Sequence, residues 1–207
     1  MDEGKAPLLE GGVREESAVL HGRSRWFVEV WDVIKLLLIA AVIVFPIRYF
    51  IAQPFIVRGA SMEPNFHDRE YLVIDEVSYY FRPPHRGEAV IFRYPRDTTQ
   101  FFIKRIIGLP GEYVEVKEGK VTIAERSGSS GVTLDEPYLD PPERPTYPDV
   151  RVTLDGAHYF VLGDNRDFSS DSRVWGALDR KFLVGRALFR VWPLGKFGFL
   201  PDYAVQE

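Results

Sequence analysis

Gln100-Phe-Phe-Ile-Lys-Arg-Ile-Ile107 is eight residues long, rich in aromatic and β-branched side chains, and interrupted by two adjacent cations. The composition predicts a β-strand. Alternate residues of a strand share a face, so Phe102, Lys104 and Ile106 point one way and Ile103 and Arg105 the other. Burying an ammonium among apolar neighbours is costly unless it is paired or gives up its proton. Arg105 cannot give up its proton, so it needs a carboxylate elsewhere. Lys104 can, and a lysine that does so is a general base. Beside a serine hydroxyl it makes a Ser-Lys hydrolase.

Free lysine titrates near 10.4, so only roughly one in 10³ is an amine at pH 7. A working base needs a downward shift of ~2–3 units, which Phe101, Phe102, Ile103, Ile106 and Ile107 are placed to supply. The bland alternative for Lys104 is a charge that protects a sheet edge from aggregation. The serine for the pair is Ser61, in Phe55-Ile-Val-Arg-Gly-Ala-Ser-Met-Glu-Pro64. Gly59 and Ala60 let another backbone approach closely, and Pro64 pins the turn that follows. The bland alternative here is a simple turn serine.

The flanks of these segments extend the β reading. Tyr71–Val77, Glu88–Tyr94, His158–Leu162 and Phe182–Val191 are strand-like, and Leu109-Pro-Gly-Glu112 is a turn. Glu112–Val116 and Lys120–Ala124 alternate across Lys117-Glu-Gly119 and predict a hairpin. No long helical period appears after residue 55. The expected fold is mainly β, a partly open barrel of coiled antiparallel sheets. Residues 125–157 hold Ser127-Gly-Ser-Ser-Gly131 and five prolines, and are expected to form an inserted surface loop or lobe without chemistry.

Residues 1–25 are polar and Gly-rich and are expected to be disordered. Residues 26–54 are expected to form a transmembrane anchor. The uncharged run Leu36–Ile47 is twelve residues, short of the ~20 that cross hydrocarbon. Extension from Val33 to Phe55 reaches spanning length if Lys35 and Arg48 snorkel to the interfaces. Trp26, Trp31, Tyr49 and Phe50 suit interfacial belts, and Pro46 is expected to kink the helix. The alternatives are a buried helix of a soluble domain and an in-plane interfacial helix; a cleaved signal peptide fits less well, because no small-x-small cleavage site follows the apolar run. Lys and Arg fall on both sides of the run, so charge does not orient it.

Composition sets limits on the rest. The 207 residues fit one moderate domain plus an anchor. Net charge −4 argues against a nucleic-acid binder, and zero cysteines exclude disulfides, thiolate metal sites and a cysteine nucleophile. His21, His67, His85 and His158 are scattered, without metal-ligand spacing, so neither metal nor cofactor is expected. The Asp164-x-x-x-x-Ser169 spacing lacks the glycine of a calcium loop, and no Gly-x-Ser-x-Gly elbow or Ser-x-x-Lys occurs.

Ser61-Met-Glu-Pro64, Gly87-Glu-Ala-Val-Ile-Phe92, Lys104-Arg-Ile-Ile-Gly-Leu-Pro-Gly111 and Gly163-Asp-Asn-Arg-Asp-Phe-Ser-Ser-Asp-Ser-Arg173 occur in that order. The set resembles the type I signal peptidases over roughly residues 35 to 195. The resemblance implies a membrane-bound serine endopeptidase that removes signal peptides from exported preproteins after small residues. It implies a single pass through the plasma membrane, N-terminus cytoplasmic and catalytic domain on the outer face. Its partners would be signal peptides and membrane lipid. It makes Ser61 the nucleophile, Lys104 the base and Ser169 the hydroxyl that hydrogen-bonds and orients the Lys104 amine. Asp171 and Arg173 would form a structural ion pair, and Asp164 and Asn165 would shape the loop. Phe55, Val57, Gly59, Met62, Phe102 and Ile103 would meet the substrate. Two departures stand out: Gly59 where the family often has an oxyanion-assisting serine, and Asn65 where it usually has threonine. The alternatives are a soluble repressor-type Ser-Lys self-protease, which the apolar segment disfavours, and a catalytically silent membrane-anchored β domain that binds partners.

Overall fold

The structure, a computed structural model, describes residues 16–46, 53–201 and 203. The chain divides into two units, Met1–Ile47 and Arg48–Glu207.

The first unit holds helix α1, Glu16–Pro46. The helix takes in residues 16–25. Pro46, expected to kink the helix, is the last described residue of α1. No helix among the described residues is long and apolar enough to cross a membrane. Glu29, Asp32 and Lys35 break the apolar stretch of α1, with Lys35 Nζ 3.3 Å from Asp32. The rest of the expected anchor runs through residues 47–52, outside the described residues.

The second unit is mainly β, and every strand pair in it is antiparallel. Its strands are β1 (Gln53–Ile56), β2 (Tyr71–Asp75), β3 (Ala89–Tyr94), β4 (Asp97–Gly108), β5 (Tyr113–Lys117), β6 (Lys120–Ala124), β7 (Val132–Thr133), β8 (Val150–Thr153), β9 (His158–Leu162), β10 (Leu178–Asp179), β11 (Leu183–Trp192) and β12 (Gly198–Phe199). Two one-turn helices interrupt them, α2 (Ser78–Phe81) and α3 (Ser172–Trp175). One sheet runs β1-β2-β11-β3-β4-β9-β10, with β12 also on β11, and the other runs β7-β6-β5-β8. Among the described residues both remain open. The β5–β6 hairpin turns through Glu118 and Gly119, both at positive φ, as a two-residue hairpin loop requires.

Strand β4 organises the site. β3 lies along one edge of it, pairing at residues 101–105, while β9 covers the other edge only from Arg105 onward. Ahead of Arg105 that second edge has no strand among the described residues. The predicted alternation holds. Phe102 and Ile106 pack with Val90, Phe92 and Val161, whereas Ile103 packs with Val57, Met62 and Ile91.

Residues 125–157 are more than an inserted surface loop. β7 and β8 complete the second sheet, and Leu134, Tyr138, Leu139 and Leu154 join its buried core with Val114 and Phe160. The prolines hide this contribution, because the apolar residues between them follow no period.

Candidate active site

Lys104 is 3% exposed. It sits opposite Val90 in the β3–β4 register, with Nζ 5.5 Å from the centre of the Phe102 ring. Phe102 stacks on Tyr94 at 4.5 Å, and Trp175 packs edge-on against Tyr94 at 6.1 Å. Burial pulls the Lys104 pKa down to about 8, against the opposing pull of Asp171 and Asp164. Nζ lies 2.7 Å from Ser61 Oγ and donates to Ile103 O at 2.8 Å. A neutral amine has two N–H groups and one lone pair. In that form Ile103 O holds one N–H and leaves the lone pair for another group; in the ammonium form Nζ donates to both Ile103 O and Ser61 Oγ.

Ser61 is held by a short turn. Glu63 N donates to Ala60 O at 3.2 Å and Phe66 N to Met62 O at 2.9 Å. The side chains of Met62 and Phe66 are buried and anchor the turn from below. From the other side Asn165 clamps it: its N–H donates to Ser61 O at 3.1 Å, and its Nδ2 to Ala60 O at 3.0 Å. Gly163 closes the junction, because a Cβ there would collide with Ser169 Oγ and Ser61 O. Gly59 has φ +81° and donates its N–H to Asp68 Oδ1 at 2.9 Å. The Ser61 N–H has no internal acceptor among the described residues.

Buried ion pairs fix the 163–173 loop, Asp171–Arg173, Asp164–Arg105 and Arg166–Glu136 among them. Asp171 takes a two-pronged contact from Arg173 at 2.8 and 2.7 Å and a hydrogen bond from Gly163 N at 3.0 Å. Burial alone would raise the Asp171 pKa, but the Arg173 contacts and the Gly163 N–H hold it below the usual carboxylate range. Asp164 is gripped by Arg105 at 2.8 and 2.6 Å, with both side chains almost fully buried. Arg105 thereby finds the carboxylate its position demands, and Tyr138 stacks on its guanidinium at 4.1 Å.

The structure brings together Ser61, Lys104, Asp164, Asn165, Asp171 and Arg173. Ser169 lies against Gly163, but the hydrogen bond expected from it to Lys104 is not made. Ser169 Oγ is buried and makes no full hydrogen bond, its nearest influence being on the Asp171 carboxylate, and the second Lys104 contact goes to Ile103 O instead. Phe55, Phe102 and Ile103 line a cleft of about 600 Å³ that contains Ser61 and Lys104. Val57 and Met62 do not line it; they are 1% and 0% exposed and pack with Ile103 in the core. Gly59 is also off the wall. Asn65 does more than fill a turn: Nδ2 donates to Asp164 Oδ2 at 2.9 Å and to Tyr138 O at 2.7 Å, tying the Ser61 turn to the buried ion pair. The signal for Asp164 as an ion-pair partner was legible in Arg105. Nothing in the sequence pointed to Tyr138. Among the described residues no three His, Asp or Glu side chains are grouped to hold a metal ion.

Comparison with known proteins decides the family. Residues 30–192 match the family described as signal peptidase, peptidase S26. The chain belongs to that family. Similar relatives include a probable signal peptidase I-1 of Synechocystis, 40% identical over 84% of this chain and 94% of that protein. A probable signal peptidase I-2 of the same organism is 40% identical over 84% of this chain and 78% of that protein. Signal peptidase IB of Staphylococcus aureus strain COL is 30% identical over 82% and 93%. A crystal structure of a signal peptidase I from Enterococcus faecalis V583 is 32% identical, covering 51% of this chain and 97% of that one, with a TM-score of 0.44. As a member of the S26 family, this chain is a serine peptidase of the signal peptidase I type.

Proposed function

We propose that this chain is a membrane-bound endopeptidase that cuts signal peptides from preproteins after small residues, with Ser61 as nucleophile and neutral Lys104 as general base. The 2.7 Å contact between Ser61 Oγ and an almost fully buried amine carries this reading. With a pKa of about 8, roughly a tenth of Lys104 is amine at pH 7, against roughly one in 10³ for free lysine.

The substrate lies extended in the cleft beside the uncovered edge of β4, with Phe55, Phe102 and Ile103 limiting side-chain size. Ser61 Oγ attacks the scissile carbonyl as its proton passes to Lys104 Nζ. The Ser61 N–H donates to the oxyanion. Collapse of the tetrahedral adduct breaks the C–N bond, and the Lys104 ammonium protonates the departing amine. Water, deprotonated by Lys104, then hydrolyses the acyl-serine and restores both groups. Ser169 packs beside Gly163 and steadies the loop that Asn165 extends to the Ser61 turn.

Anchoring by residues 26–54, with the N-terminus cytoplasmic and the catalytic domain outside, belongs to the same reading. The exposure of Leu36, Leu37, Leu38 and Ile39 supports it. Incubating the detergent-solubilised chain with a preprotein should yield one new N-terminus directly after a small residue. Cleavage at many sites, or none, would refute the assignment.

A further inference from the structure

The cleft that holds Ser61 and Lys104 carries one fixed positive charge and no carboxylate. Arg58 is on its wall, three residues before Ser61, and no Asp or Glu lines it. In the reactive form of the site Lys104 is an uncharged amine, and Arg58 is then the charged residue of the lining. Arg58 is exposed, and among the described residues no carboxylate pairs with it. The neighbouring acids are engaged elsewhere. Asp68 accepts from Gly59 N and lies 3.4 Å from Arg69 Nε. Asp97 accepts from Thr99 and Gln100. The buried arginines behave differently, since Arg105, Arg166 and Arg173 each grip a carboxylate. At the wall formed by β4, the Arg93 guanidinium lies 4.9 Å from the Phe101 ring centre and adds positive potential there.

We infer that Arg58 selects preproteins carrying an acidic residue close to the scissile bond. This rests on the peptidase reading above. A guanidinium offers a planar fork that matches a carboxylate. Three residues of chain span at most about 10 Å, so the partner lies within about three residues of the cut. Alternate side chains of an extended substrate share a side, so the preference falls on positions of one parity.

The test uses the full-length chain in neutral detergent and preprotein peptides that share one cleavage site with alanine before the cut. Asp, Ala or Lys is placed in turn at each flanking position that accepts any residue. Expected is kcat/KM about threefold higher for Asp than for Lys at alternate positions, the size of an exposed ion pair, and an effect that fades at 1 M salt. Arg58→Glu should invert the ranking, and Arg58→Lys should keep it in weakened form. Equal rates for Asp and Lys, with the all-alanine peptide still cut, overturn the inference and leave the peptidase intact. No cleavage of the all-alanine peptide overturns the peptidase reading itself. The inference also falls if Arg58→Glu slows every peptide alike and only in vesicles of anionic lipid, since Arg58 would then be meeting lipid headgroups.

Discussion

The two faces of β4 bury two neighbouring cations to the same extent and use them in opposite ways. Lys104 is 3% exposed and Arg105 2%. On one face Lys104 meets Phe102, a serine hydroxyl and a carbonyl, and its proton is loosened. On the other face Arg105 meets Asp164, Gly87 O and the Tyr138 ring, and its charge is locked in. Burial alone therefore does not decide what a cation becomes; what decides is whether a carboxylate shares its face. Asp171 and Asp164 are near enough to pull on the Lys104 pKa, yet each is already gripped by an arginine.

The sharpest way to break this contrast is to abolish each role in turn. Ser61→Ala and Lys104→Ala should each reduce preprotein cleavage by about 10⁴-fold or more, as loss of a member of a catalytic unit does. Lys104→Arg should be as inactive, because guanidinium stays charged at any working pH. Appreciable cleavage by Lys104→Ala would remove the base from the proposal. On the opposite face the loss should appear as stability. Asp164→Ala leaves Arg105 charged, buried and alone, and should cost about 3–5 kcal/mol in denaturant unfolding. Replacing both partners, Arg105→Met with Asp164→Leu, should recover part of that. A single substitution that costs less than 1 kcal/mol would show that the pair is solvated.

The pH profile sharpens the contrast on the Lys104 side. Because burial lowers its pKa, the active amine accumulates as pH rises, and kcat/KM should climb with a midpoint near 8. Asp171 pulls that pKa upward, so Asp171→Asn should move the limb toward lower pH. A wild-type limb near 10 would mean the amine is hydrated, and an upward move in Asp171→Asn would mean its charge does not reach Lys104.

Much of this arrangement was legible in the sequence. The period of two along 102–106 separated the faces, and the strand pattern of β2, β3, β5, β6, β9 and β11 followed from β-branched and aromatic runs. What escaped was long-range and polar. Tyr138 and Leu139 lie between prolines without a period, so their burial depends on partners distant in the chain. Val57 and Met62, expected to meet substrate, are buried beside Ile103, Val57 through its backbone pairing with Arg69 and Glu70. Ser169 illustrates the limit best. Its residue type matched the expected role, while its hydroxyl makes no bond to Lys104 and lies toward the Asp171 carboxylate, which it helps to keep ionised. Ser169→Ala should therefore lower kcat by only several-fold, far less than Lys104→Ala. An equal loss would show that Ser169 bonds the amine once substrate binds.

The smallest expected effect concerns Gly59, where the family often places a serine. A Cβ built there meets nothing within 4 Å, so space is no obstacle, but φ is +81°. A non-glycine residue in that conformation costs about 1 kcal/mol. Gly59→Ala and Gly59→Ser should each lose about that much stability in denaturant unfolding. Because the Cβ faces open space and the Gly59 N–H is tied to Asp68, the added hydroxyl should be too far from Ser61 to help the oxyanion. The two variants should then share one kcat. A faster serine variant would show the turn reorganising around substrate, and would place the oxyanion donor on the same mobile segment as the nucleophile rather than on its backbone N–H alone.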